Sequence, residues 1–185
     1  MNQRIILASG SPRRRDMLNE AGLEFEVIPS PAEELHDESM PLDLLCEENA
    51  KLKALAIARD HSDAAVIGAD TLVYIDHTPL GKPRSKQEAE ATLERLSGRT
   101  HQVCTGVCII CGNEVKSFHV ITEVVFKTLS KDVIRDYMSK VDVMDKAGSY
   151  AVQEHGDMII RQVIGDYDNV VGLPVAETLA GLAEI

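Results

Sequence analysis

The segment LASGSPRRR, residues 7–15, sets three consecutive arginines where a short apolar run hands over to a helix led by proline. A strand that ends in small residues and feeds a helix gathers three things at one point. These are free backbone N–H groups, the positive end of the helix dipole and the arginine side chains, and together they suit a phosphate or a carboxylate. Arginine's planar fork also grips phosphate oxygens bidentately. Cations in a first turn oppose the dipole, at a cost of about 0.3–1 kcal/mol each. A helix shaped only for stability would carry Asp or Glu there. The segment therefore reads as an anion site, against the alternative of a capped surface helix with solvated cations.

A second chemical feature is VIGADTLV, where Asp70 interrupts an otherwise apolar strand. A buried carboxylate is costly unless it is paired or binds a cation. Asp70 is thus a candidate metal ligand or general base, with a hydrogen-bonded structural Asp at a bulge beside Gly68 as the alternative. Lys53 lies in a stripe of Leu and Ala on the preceding helix, and Lys82 follows Gly81 just beyond the Asp70 strand. Glu33 and Glu34 sit in an acidic loop. Neither G-x-x-x-x-G-K-[ST] nor G-x-G-x-x-G occurs, and G-x-S-x-G is not satisfied around Ser11. The six histidines are scattered without an H-E-x-x-H motif. Cys104, Cys108 and Cys111 fall in a β-branched run without the paired spacing of a closed zinc site, and read as structural thiols.

Several elements must position these residues. Arg4–Ser9 reads as a buried strand, followed by a helix capped by Ser11, with Pro12 at its first position and Gly22 as its stop. FEVIP is a second strand, and a helix runs from about Pro41 to Asp60. AAVIGADTLVYID carries the strongest strand pattern, with a turn or short β excursion over His77–Pro83. Ser85 and Glu88 form a capping box for a helix closing on Gly98. THQVCTGVCII and VKSFHVITEVVFKT form a hairpin about a Gly-Asn turn, and Ser130 caps a further helix. DMIIRQVIG is a strand, LPVAETLAGLAEI a closing helix, and DKAGSYAVQ and GDYDNVVGLP are loops. The mixture predicts an α/β fold with a mixed, partly antiparallel sheet flanked by helices.

The 185 residues suit one domain or two closely joined lobes, with no internal repeat or linker. The net charge of −11 argues against non-specific nucleic-acid binding but leaves room for a small anion at a local cluster of cations. No stretch approaches the roughly 20 apolar residues of a membrane span. The N-terminal run lacks a secretory cleavage pattern, so a cytoplasmic place is expected, without disulfides.

Taken together, these residues resemble the Maf family of nucleoside triphosphate pyrophosphatases. The resemblance runs in order over residues 1–185, read as a single Maf-like domain. It rests on LASGSPRRR, Glu33, ENAKLKA, VIGADTLV, LGKP, LSGRTHQVCTGV, DKAGSYAVQ and GDYDNVVGLP. It implies an inosine-triphosphatase-like fold of two lobes around a substrate cleft, and hydrolysis between the α- and β-phosphates with Mg²⁺ or Mn²⁺. It makes Asp70 the catalytic base and, with Glu33, a metal ligand. It sets Ser9, Arg13, Arg14, Lys53 and Lys82 on the substrate. Arg13, Thr71 and Gln153 match the dTTP/UTP branch rather than the 7-methyl-GTP branch, which more often shows Trp after SP and GSDQ. A small-molecule nucleotide is the implied partner, in a homodimer. Val152, Glu154 and His155 depart from the small residues the family often carries beside that Gln, which bears on base selection. The other readings are a pyrophosphatase of 7-methyl-GTP or of a broad set of non-standard nucleotides, and a nucleotide-binding regulator of cell division.

Overall fold

The first apolar run forms β1 (Arg4–Leu7), which pairs in parallel with both β2 (Glu26–Val27) and β3 (Ala64–Ile75). The structure, a computed structural model, describes residues 3–37 and 39–185. The first two residues of the N-terminal run and Glu38 of the acidic loop lie outside the described residues. Between β1 and β2 runs α1 (Pro12–Glu20), where Ser11 accepts from the Arg14 N–H and Gly22 follows the helix at φ 75°. α2 (Leu42–Ala58) then leads into β3, which turns back through β4 (Thr78–Leu80). In α3 (Lys86–Leu96), Ser85 caps the Glu88 N–H and the Glu88 side chain accepts from the Arg84 N–H.

β5 (Thr100–Cys111) and β6 (Glu114–Phe126) are joined by Gly112 and Asn113, and α4 (Lys131–Lys140) is capped by Ser130. α5 (Gly156–Ile159), β7 (Ile160–Ile164), α6 (Tyr167–Val171) and α7 (Val175–Ala183) complete the chain. The sheet order is β2-β1-β3-β5-β6-β7, with β4 added to β3. It is a mixed sheet flanked by helices, as the pattern predicts.

Two local readings change. The strand expected from Asp157 begins at Ile160, because His155 takes a left-handed φ of 52° and starts a helical turn. The expected loop GDYDNVVGLP contains α6, seated by Asn169, whose Nδ2 donates to Val103 O and Thr122 Oγ1, both at 3.0 Å. Cys46, Cys104 and Cys108 are buried thiols outside any disulfide, and Cys111 is partly exposed.

The chain divides into two compact units. Unit 1 holds the chain up to Thr71 with Thr105–Val120 and Gly172–Ile185, and unit 2 holds Leu72–Cys104 and Ile121–Val171. β3, β5 and β6 each contribute residues to both. In unit 1, strand alternation sends Ile6, Val66 and Cys108 into one cluster with Ala50, Ala54 and Ile57 of α2. Leu7, Ile67, Ala69 and Ile109 go the other way, to Leu18 of α1 and Leu173. In unit 2, Phe126, Tyr137, Tyr150 and Leu93 anchor the core. His101 is packed there edge-on against Phe126 and Tyr150, and burial lowers its pKa to about 4, so it is neutral near pH 7.

Glycine sets the spacing between α2 and the sheet. A Cβ on Gly68 would lie 2.1 Å from Ala50 O and 2.7 Å from Ala54 N. On Gly106 it would lie 2.4 Å from the Cys46 carbonyl. Both contacts are with helix backbone, which cannot step aside as a side-chain tip can. Gly68→Ala is therefore expected to lower unfolding free energy by about 3 kcal/mol or more, read as a drop in urea midpoint.

Candidate active site

Asp70 sits within the unbroken strand β3, on the side that faces α2 and two residues beyond Gly68, and is 4% exposed. Its burial is compensated by α2: Lys53 Nζ donates to Oδ1 at 2.7 Å, and Asn49 Nδ2 donates to Oδ2 at 3.1 Å. Asn49 and Lys53 are one turn apart, so both reach the same carboxylate from one helix face. Lys53 also pairs with Glu34 Oε1 at 2.7 Å. Glu34 is thus the loop carboxylate tied into this group, while Glu33 is exposed on the same loop.

The other face of β3 carries Arg14, whose side chain turns inward from α1 and is buried. Nε donates to Gly172 O at 2.8 Å and Nη1 to Ser9 Oγ at 3.1 Å and Ala69 O at 2.9 Å, while Nη2 donates to Thr71 Oγ1 at 2.9 Å. Four of the five guanidinium N–H groups are thereby committed inside unit 1. Burial pulls Arg14 below the usual arginine value, and the Asp70 charge acts in the opposite direction. Thr71 Oγ1 lies 2.9 Å from Thr105 Oγ1 and donates to Gly172 O at 3.3 Å. Ser9 Oγ also accepts from the Ser11 N–H, closing the turn before α1.

Arg13 is half-buried at the start of α1, and Arg15 lies on the surface against Asp16. The three arginines of the motif thus have three different surroundings. Unit 1 gathers Ser9, Arg14, Asp70 and Thr71 around the middle of β3, with Lys53 and Asn49 above it from α2.

Unit 2 carries the remaining candidates. Lys82 is exposed in the segment after β4, and Gln153 is exposed in the turn before α5. The two segments are linked, because Gly148 donates its N–H to Gly81 O at 3.2 Å. Glu154, one of the departures from the family pattern, lies 3.4 Å from Lys146, whose own side chain is almost wholly buried. That charge is compensated within the turn. His155 occupies a left-handed position, a region in which His, with Asn and Asp, is enriched among residues other than glycine.

The sequence reading missed Asn49. Its signal was the i, i+4 spacing with Lys53, and it entered that reading only within the segment ENAKLKA.

A divalent cation has few protein ligands here. Among the described residues no group of three or more His, Cys, Asp or Glu is placed to hold a metal ion. Asp70 offers one buried carboxylate whose two oxygens each receive a single donor, leaving a lone pair on each. That set fits Mg²⁺, which binds through one or two carboxylates together with substrate phosphates and water.

Comparison with known proteins identifies the family of the chain. The model of the Maf family, described as Maf-like protein, matches residues 4–185. The chain belongs to the Maf family. It is 54% identical over 175 residues to a dTTP/UTP pyrophosphatase of Akkermansia muciniphila, covering 95% of this chain and 93% of the relative. It is 44% identical over 188 residues to one from Bacillus velezensis, covering 100% of this chain and 97% of the relative. Among solved structures it is similar to the Staphylococcus aureus Ham1 protein, with a TM-score of 0.56 at 16% identity over 98% of both chains. This last likeness concerns the fold alone.

A lysine in place of Arg14 keeps the charge but offers its donors from a single atom, so it cannot reach all four acceptors. Arg14→Lys is expected to lower unfolding free energy by about 2–4 kcal/mol, measured by urea denaturation with an unchanged slope.

Proposed function

We propose that this Maf protein hydrolyses dTTP, UTP and modified pyrimidine nucleotides to the monophosphate and pyrophosphate, and so cleans the cytoplasmic nucleotide pool. The observation that carries the reading is the buried Asp70 carboxylate, held between Lys53 and Asn49 beside the arginine-rich turn. The pyrimidine preference is supported by relatives named for that activity and by the combination Arg13, Thr71 and Gln153.

In this reading Asp70 takes a proton from water as its oxygen adds to the α-phosphorus. The bond to the α–β bridging oxygen breaks, and pyrophosphate leaves with the electron pair. Phosphoryl transfer of this kind is governed by positioning and charge neutralisation. Lys53 orients the Asp70 carboxylate and offsets negative charge on the substrate. Arg13, Ser9 and Lys82 bind phosphate oxygens. Arg14 contributes its charge and braces Ser9 and Thr71, since most of its donors are engaged inside the protein. Gln153 offers a donor and an acceptor to a pyrimidine edge. Mg²⁺ or Mn²⁺ held by Asp70 with Glu33 and the substrate's phosphates would supply further positive charge against the phosphate oxygens. Residues 1–185 act in this scheme as one Maf-like domain.

The test is a panel of triphosphates assayed for both products with Mg²⁺ and with Mn²⁺, alongside Asp70→Asn. Monophosphate and pyrophosphate are expected, fastest from dTTP and UTP. Asp70→Asn is expected to bind nucleotide while turnover falls by about 100-fold or more, the scale of losing a general base. Orthophosphate as the product, or unimpaired turnover by Asp70→Asn, would overturn the reading.

A further inference from the structure

We propose that Asn49 is a positioning residue for the reaction, setting the Asp70 carboxylate and the acidic loop in register through one side-chain amide. The inference rests on the reading of Asp70 given above. Asn49 lies mid-way along α2 and is 2% exposed. Its Oδ1 accepts from the Leu35 N–H at 2.7 Å, while its Nδ2 donates to Leu35 O at 3.3 Å and to Asp70 Oδ2 at 3.1 Å. The orientation of the amide follows from its partners. A backbone N–H requires the oxygen on one side, and a carboxylate requires the nitrogen on the other.

Asn49 thus pairs with both backbone groups of Leu35 as a strand residue would, and uses its remaining proton on Asp70. One turn later Lys53 repeats the link, joining Glu34 to Asp70 Oδ1. The two rungs fix both carboxylate oxygens from a single helix face and fasten the 34–35 segment beside them.

Packing alone does not explain an amide at this position. The buried neighbours on α2 are Leu45, Cys46, Ala50, Ala54 and Ile57, and a small apolar residue would continue that row without the cost of burying polar atoms. No other side chain of similar size meets all three partners. Asp has no protons to give Asp70, Leu has neither group, and Gln would push an additional methylene into a helix face already against the sheet.

Asn49→Asp and Asn49→Ala separate the two links. Asp retains an oxygen for the Leu35 N–H but loses the donors to Leu35 O and Asp70 and sets a second carboxylate against Asp70, whereas Ala loses every link without adding a charge. Pyrophosphate release from dTTP and UTP by the wild-type protein is measured first, then kcat and KM of each variant. Hydrogen exchange at the Leu35 amide is followed in the nucleotide-free protein.

For Asn49→Asp, Leu35 protection is expected to stay within about threefold of wild type. Its kcat should fall by roughly 30-fold, with KM changed by less than about threefold. For Asn49→Ala, Leu35 protection and kcat are both expected to fall by about tenfold or more. A folded variant of either kind with kcat within about threefold of wild type would overturn the positioning role. Should Asn49→Asp not fold, Asn49→Ala decides it by the same criterion. Unchanged Leu35 exchange in Asn49→Ala would overturn the tether even if turnover fell. A wild-type protein that releases no pyrophosphate would instead remove the assignment of the reaction, and that result is distinct from either variant outcome.

Discussion

Helix α2 rests on the backbone of β3 and β5, and the candidate site depends on that close approach. At Gly68 the space for a side chain is already filled by the carbonyl of Ala50, and at Gly106 by that of Cys46. Alanines at 50 and 54 complete the contact from the helix side. Two residues beyond Gly68 on the same strand face comes Asp70, so the geometry that seats the helix also brings Asn49 and Lys53 within hydrogen-bond reach of its carboxylate. A larger residue at 68 would lift the helix and leave a buried charge without its donors, a loss that breaking a buried ion pair puts at about 3–5 kcal/mol. Packing and chemistry here share one constraint.

The opposite face of β3 is organised by a cation instead. Arg14 joins the turn before α1, the carbonyl of Ala69, the hydroxyl of Thr71 and the carbonyl of Gly172. The strand carrying Asp70 is thus held from both sides by donors, Lys53 and Asn49 on one face and Arg14 on the other. This accounts for Arg14 in the first turn of α1 despite the unfavourable helix dipole. One arginine is turned into the protein and does structural work, one remains half-buried at the helix start, and one pairs with Asp16 on the surface. The overall charge of −11 has little bearing on this local arrangement.

Much of this was legible in the sequence because it is written in local signals. Ser11, Ser85 and Ser130 cap helices as their spacing indicates, and the Gly-Asn pair turns the β5–β6 hairpin. Asp70 stood out because a carboxylate in an apolar strand demands a partner. The partner's identity was less visible, since Lys53 and Asn49 gain meaning only once α2 is laid on β3. For the same reason the part of Gly68 in letting α2 approach β3 was not visible, and it entered only beside the alternative of a structural Asp at a bulge. The inward turn of Arg14 depends on acceptors from residues 69, 71 and 172, which no local pattern links. Likewise α6 is set by Asn169 reaching Val103 and Thr122, so GDYDNVVGLP looked like a loop.

The family and its named relatives point to hydrolysis of a nucleoside triphosphate to the monophosphate and pyrophosphate, and the proposal adds which phosphorus the water attacks. In the proposed mechanism Asp70, held in orientation by Lys53 and Asn49, serves a water attacking the α-phosphorus, with pyrophosphate as the departing group. Isotope labelling tests this most directly. Turnover of dTTP in ¹⁸O-water, with both products analysed by mass spectrometry, should place the label in the monophosphate and leave the pyrophosphate unlabelled. Label in the pyrophosphate would mean attack at the β-phosphorus and would contradict the account.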